Sequence, residues 1–455
     1  MQILQRSYPI TTRQPRDVIA HGPGGEVHVD QFLASAVALS RQLPDRPYVI
    51  NLATDRYAFL LGFCAAIIAG QCTLMPPNKQ RQTLQSLADK YAGCYTFGEA
   101  SVIDAEHFCS TIDIPLSDNA DVPVPEIEAN HLCAIVFTSG STGTPTPNNK
   151  YWETLRVGAL SDIELLMQDD VVQTSLLATV PAQHMWGLGT SILFPLFCDM
   201  AVSHHTPFFP QDIADALAAL PEPRALVSSP VHLDAFLRAN VGRLKIDQIF
   251  SATAPMSADM ARELEQRFSA RVIEIFGCSE AGIIARRYTA SETAWQLSTM
   301  FSVDVNAERV LIQAPHLPED VILHDIIELV GDGQFRWLGR HQDMVNIAGK
   351  RGSLADLNHR LNEIPGVIDG VIFMPDENSG RLAALVVAPD LQPSDILEKL
   401  KPGIDPAFLP RPLYKVPMLP RQETGKLARK IVVELFAQTK RSRTLDNEDS
   451  ADNPG

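Results

Sequence analysis

The sequence predicts an α/β fold, with parallel or mixed sheets flanked by helices over most of the chain and a compact α+β unit near its end. Two observations predict it. Over residues 27–75 and again over 172–276, short apolar runs alternate with segments of helical spacing, the pattern of parallel sheets covered on both faces. After residue 322 the texture changes to short β segments separated by turns.

The elements follow in order. Residues 27–43, "VHVDQFLASAVALSRQL", carry apolar side chains at helical spacing, and "YVINLA" at 48–53 is strand-like. Residues 58–69 are apolar on all sides, which predicts a buried helix ending at Gly70; the run is too short to span a bilayer. "ALVSS", "QIFSATA" and "RVIEIFG" predict strands, with a helix over 258–268 between the last two. "IIELVGDGQFRWLGR" predicts a hairpin around Gly331-Asp332-Gly333, and "GVIDGVIFM" and "RLAALVVAP" predict strands of the last unit. From residue 438 the chain is almost without apolar residues, Leu445 and Ala451 apart, which predicts a disordered tail.

At 455 residues the chain has room for more than one domain, and 45% apolar with 20% charged residues is the balance of a soluble protein. A formal net charge of −16 argues against general nucleic-acid binding, which needs a basic face. Cys64, Cys72, Cys94, Cys109, Cys133, Cys198 and Cys278 are scattered, with no CxxC pair. They predict free thiols in a cytoplasmic protein, and neither a disulfide scaffold nor a zinc site.

The chemistry concentrates in a few stretches. In "FTSGSTGTP", Thr138, Ser139, Ser141 and Thr142 bring hydroxyls, and Gly140 and Gly143 let the backbone approach a phosphate; it is not a P-loop, because no G-x-x-x-x-G-K-[ST] is present. With "IFGCSEAG", "WLGRHQDMVNIAGKRG" and "LPRQETGKLARK" in that order, and "SATAPM" and "PAQHMWG" between them, the set resembles the adenylate-forming superfamily: acyl- and aryl-CoA synthetases, acyl-AMP ligases, adenylation domains of peptide synthetases and luciferases. The resemblance covers roughly residues 27–435. In the style of its loop the chain resembles stand-alone ligases of aryl-polyene type.

The resemblance implies a large N-terminal domain over 1–339, a hinge at 340–343 centred on Gln342, a mobile small domain over 344–437 and an active site in the cleft. It implies ATP as substrate and Mg²⁺ as cofactor. The loop 138–143 would hold the triphosphate, with Thr142 and Glu280 on the metal. Phe276 and Gly277 would lie against the adenine with Ala254 and Pro255, and Ser279 would reach the α-phosphate. Asp325 and Arg340 would hold the ribose hydroxyls, although Leu323 and His324 replace the usual threonine and glycine before the aspartate. Lys426 would bridge the acid's carboxylate and the α-phosphate, where two anions must meet. Gly349 and Arg351 would line the thiol's approach.

Where the family has a lysine directly after the loop proline, this chain has Thr146. Either Lys150 supplies the loop charge from a longer arm, or the loop needs none. His184, Met185 and Trp186 match the border of the acyl pocket, His184 being also a candidate catalytic residue. The absence of Asp from that segment disfavours an amino acid, whose ammonium would need a buried partner. An aromatic or medium-chain acid is expected. Residues 401–430 hold seven Lys or Arg against Asp405 and Glu423, a surface suited to an acidic acyl carrier protein or to coenzyme A. The leading expectation is therefore an ATP-dependent acid–thiol ligase. The alternative is a degenerate member that binds nucleotide or acyl ligand and regulates a partner; the displaced lysine and Gln342 favour it, and Glu280, Arg340 and Lys426 oppose it.

Overall fold

The computed structural model describes residues 6–103, 108–111, 122–138, 146–167, 173–239, 241–306, 309–340, 343–347, 350–376, 380–421, 427 and 429–451. The chain divides into two compact units. The larger comprises Met1–Val303, Ile312–Val321 and Val330–Phe335, and the smaller Asp304–Leu311, Ile322–Leu329 and Arg336–Gly455. This differs from a single boundary at 339, because the chain passes between the units several times before committing to the second.

The larger unit is built on two sheets. In the first, Cys72–Met75, Tyr48–Asn51, Cys94–Gly98 and Phe108–Ser110 run parallel beside Leu132–Thr138, and Thr146–Tyr151 closes the edge as an antiparallel hairpin strand. In the second, Met200–Ser203, Thr174–Ala178, Arg224–Ser228, Gln248–Ser251 and Arg271–Cys278 are parallel neighbours, with antiparallel strands such as Gly282–Arg287 added outside them. The central strands are continuous apolar runs because both faces are covered. The helix Arg56–Ile68 is buried along nearly its whole length, as its all-apolar sequence predicts, and Asp55 caps it by accepting from the Ala58 amide. The helix Ala258–Phe268 has the predicted bounds and is capped by Ser257. All seven cysteines are free, and no described helix is long and apolar enough to cross a membrane.

The smaller unit carries the three-stranded sheet Asp369–Phe373, Ala383–Val387 and Leu413–Lys415, with the helices Leu354–Asn362 and Pro393–Leu400. Leu361, Ile372, Val386 and Ile396 form its core. The C-terminal helix Arg429–Ala451 is anchored by Val432 and Phe436, whose ring meets Phe373 and Tyr414. The helix runs past residue 438, where the sequence predicts a disordered tail. Lys440, Arg441 and Arg443, good helix formers, follow directly on the anchored turns and carry the helix onward.

Candidate active site

The glycine-rich loop lies between two paired strands. Leu132–Thr138 leads into it, and Thr146–Tyr151 returns with Thr146 opposite Thr138. Ser139, Gly140, Ser141, Thr142 and Gly143 lie outside the described residues, as do Gln342, Gly349 and Lys426 and the side chain of Arg351. Lys150 sits four residues into the returning strand, opposite Ala134, and is 3% exposed. Its Nζ donates to the carbonyl oxygen of Glu280 at 2.9 Å. Burial pulls its ammonium down from the ordinary lysine range, and Cys278 and Glu280 oppose that pull. Strand parity turns this side chain inward, where it supports the Glu280 turn; the loop it was expected to serve lies outside the described residues.

That turn joins Arg271–Cys278 to Gly282–Arg287. A bulge falls between Phe276 and Gly277, and a Cβ on Gly277 would lie 2.2 Å from the carbonyl oxygen of Gly282, so the approach of the two strands requires glycine. Glu280 is exposed, Ser279 is half-buried, and the Cys278 thiol contacts the Glu280 carboxylate. Burial, with Glu280 next, pushes that thiol up to about 12, so it is no nucleophile. Phe276 is half-buried and meets Trp295 at 5.6 Å and Phe335 at 5.4 Å, a cluster that fixes its ring.

Two further segments belong to the larger unit. In the loop holding Ala254 and Pro255, Thr253 has φ 81°, a strained conformation for a β-branched residue. The Met256 amide donates to the buried Glu274 carboxylate, which also accepts from Arg287 and Thr289. His184 precedes a continuous helical stretch that begins at Met185 and includes a π segment, Gly189–Leu193. His184, Met185 and Trp186 are half-buried. The fully buried Arg56 donates to the carbonyls of Ala178 and Val180 and to Ser191 Oγ, tying the approach to His184 onto that helix; burial lowers its guanidinium to about 10. Glu274 and Arg56 escaped the sequence reading. A carboxylate inside the run "RVIEIF" and an arginine opening an apolar helix were the available signals.

In the smaller unit Asp325 and Arg340 come together. Arg340 Nε donates to Asp325 Oδ1 at 3.2 Å, and Trp337 Nε1 donates to the same oxygen at 2.7 Å. Asp325 is buried and the guanidinium largely exposed. The basic stretch is thinner than its sequence suggests, because Arg421 pairs with Asp369 and Lys401 with Glu398. Lys350 pairs with Asp405, removing one of that stretch's two acids.

Residues 56–311 match the family described as AMP-binding enzyme. A similar protein is the 4-coumarate–CoA ligase of Halorhodospira halophila, 25% identical over 312 residues, covering 66% of this chain and 76% of that one. Another is the 3,4-dihydroxybenzoate–[aryl-carrier protein] ligase of Bacillus anthracis, 19% identical over 352 residues, 73% of this chain and 82% of that one. Among solved structures, o-succinylbenzoate coenzyme A synthetase from Bacillus subtilis in complex with AMP superposes with a TM-score of 0.79 at 14% identity, over 93% of this chain and 98% of that one.

Proposed function

Because the chain belongs to the AMP-binding enzyme family, the adenylate-forming acid–thiol ligases that activate carboxylates with ATP, we propose that it makes an acyl- or aryl-adenylate and passes the acyl group to a phosphopantetheine thiol. A carboxylate oxygen attacks the α-phosphorus, the bond to the β-phosphate oxygen breaks, and pyrophosphate leaves. The thiol sulfur then attacks the acyl carbon of the mixed anhydride, and AMP leaves. The observation that carries the reading is the Glu280 turn: an exposed carboxylate whose backbone is held from beneath by Lys150.

Glu280 fits a hard cation, since its carboxylate is exposed and its thiol contact is weak; Thr142 is the proposed second ligand. Bound there, Mg²⁺ would offset the charge of the triphosphate. Lys426 neutralises the two anions as they meet, and the loop 138–143 holds the triphosphate. Asp325 and Arg340 hold the ribose, and Phe276, Gly277, Ala254 and Pro255 border the adenine, with Ser279 on the α-phosphate. His184, Met185 and Trp186 border the acid, and Gly349 and Arg351 the thiol's path about a hinge at Gln342. The activities named for the two relatives support an aromatic acid, and the reading also admits a medium-chain acid. The thiol is that of coenzyme A or an acyl carrier protein. Unpaired cysteines support a cytoplasmic setting.

The test is pyrophosphate release from ATP with a panel of aromatic and straight-chain acids, followed by capture of the adenylate with coenzyme A or a holo carrier protein. Release that depends on the acid, and a Mg²⁺ titration displaced in Glu280→Gln, are the expected results. A folded wild-type protein silent across the panel, yet binding ATP, would overturn the reading in favour of a regulatory role.

A further inference from the structure

Glu274 lies in the strand Arg271–Cys278, with Ser251 beside it on one flank and Arg287 on the other. It is 2% exposed. A carboxylate is costly in such a place unless its oxygens are bonded. Both are, and each serves a different side. Oε1 accepts from the Met256 amide at 3.0 Å. Oε2 accepts from Arg287 Nε at 3.2 Å and from Thr289 Oγ1 at 2.6 Å.

The two oxygens lead to two walls of the proposed adenine site. Met256 ends the loop that holds Ala254 and Pro255, in which Thr253 has the positive φ of 81°. A β-branched residue keeps that conformation only where its surroundings over-determine it, and an anchored amide three residues on helps to do so. On the other side the Arg287 guanidinium lies 4.5 Å from the centre of the Trp295 ring, and Trp295 meets Phe276 at 5.6 Å. The loop and the Phe276 ring are thus joined through one buried carboxylate, all within the larger unit. Packed apolar groups often replace a buried ion pair without loss of stability, so stability alone does not account for a charge here.

We propose that Glu274 is a positioning residue for nucleotide binding: its two oxygens fix the loop 253–256 relative to the Phe276 ring, and that spacing sets the preference for adenine over guanine. The inference rests on the ligase reading above, which puts Ala254, Pro255 and Phe276 against the base, and deepens it by naming the group that holds them. Guanine differs from adenine along its edge, where an oxygen replaces one amino group and a second amino group is added. A loop free to shift rejects that edge less well.

The experiment titrates AMP, GMP and tripolyphosphate into the full chain by calorimetry and follows pyrophosphate release at varied ATP. Glu274→Leu removes both sets of bonds, Glu274→Gln keeps one acceptor, and Arg287→Met removes the arm to Trp295. Kd for AMP should rise roughly 10-fold or more in Glu274→Leu and less in the other two, because small displacements of a binding wall are felt strongly. Kd for GMP should rise less, so the preference for AMP narrows. Affinity for tripolyphosphate, which carries no base, should stay at the wild-type value, and KM for ATP should rise while KM for the acid stays put. A folded Glu274→Leu with wild-type AMP affinity overturns the inference. Loss of AMP and tripolyphosphate affinity by one common factor also overturns it, as the mark of a purely structural carboxylate. Should Glu274→Leu not fold, the other two variants decide, and wild-type AMP affinity in both overturns it. AMP binding that depends on Glu274 in a chain that activates no acid upholds the inference and overturns the ligase reading alone. A wild type that binds no AMP overturns both.

Discussion

Lys150 Nζ donates to the Glu280 carbonyl oxygen at 2.9 Å, joining the strand that leaves the glycine-rich loop to the turn that carries the candidate metal carboxylate. A buried ammonium bonded to a backbone carbonyl fixes where that backbone sits. The orientation of Glu280 is therefore coupled to the loop's exit strand through one side chain. On the proposed reading the loop would hold phosphate with hydroxyls and backbone N–H groups.

Lys150→Met, which keeps the apolar stem and removes the donor, should lower stability by about 1–3 kcal/mol by stranding the Glu280 carbonyl. It should also move the Mg²⁺ titration in the same direction as Glu280→Gln. In a double-mutant cycle the two should be non-additive, since they act on one turn. Additive effects, with the Lys150 variant changing only the KM for ATP, would return the lysine to the loop-charge role, and Thr142→Val would then be the milder variant.

The helix Ala258–Phe268 is legible in the sequence where the direction of Lys150 is not. The helix was readable because Ser257 and the apolar spacing are local signals. Lys150 was readable as a cation near the loop, but its direction depends on strand register opposite Ala134, which a single sequence does not display. Asp162 was half-legible: Leu155, Ala159, Asp162 and Leu166 fall on one helical stripe, so a carboxyl on a buried face could have been flagged. The division between units was not legible as one boundary, because segments such as Ile322–Leu329 and Val330–Phe335 fall to different units. The order of the motifs survived all this, because each sits at a strand end or turn that the αβ alternation already predicts.

Gly277→Ala should disrupt the turn from the opposite side. Its Cβ would meet the Gly282 carbonyl oxygen at 2.2 Å, a backbone atom that cannot swing aside. A loss of about 1–3 kcal/mol is expected from the overpacking, together with loss of acid-dependent pyrophosphate release. A variant that melts with wild type would show that the strands separate more easily than their register suggests.

Asp162 gives a pH dependence with a definite sign. Its folded-state pKa is raised above the unfolded value of about 3.9, so the folded protein binds more protons than the unfolded chain across the interval between them. Its stabilising contribution is complete below the unfolded pKa and is lost as pH rises through the folded one. Lys150 and Glu280 line a small cavity together with Asp162, and His316 stands near Lys150, but burial alone accounts for the shift. Asp162→Asn should gain on wild type in denaturation stability as pH rises through that interval. A difference that stays flat with pH would show that Asp162 ionises as it does in the unfolded chain.

Lys426→Ala separates the two half-reactions. The residue is assigned through its match to the lysine of "ETGKLARK", and its proposed work is confined to adenylate formation, when the acid's carboxylate meets the α-phosphate. Loss of such charge stabilisation costs roughly 10²–10³ in rate. Pyrophosphate release from acid and ATP should fall by that factor, while transfer of acyl from a supplied acyl-adenylate to the thiol should change little, because one anion has by then become a leaving group. Since KM for ATP reports ground-state binding, it should stay near wild type. Equal losses in both half-reactions would mean that Lys426 positions the small unit as a whole, and the bridging role would be withdrawn.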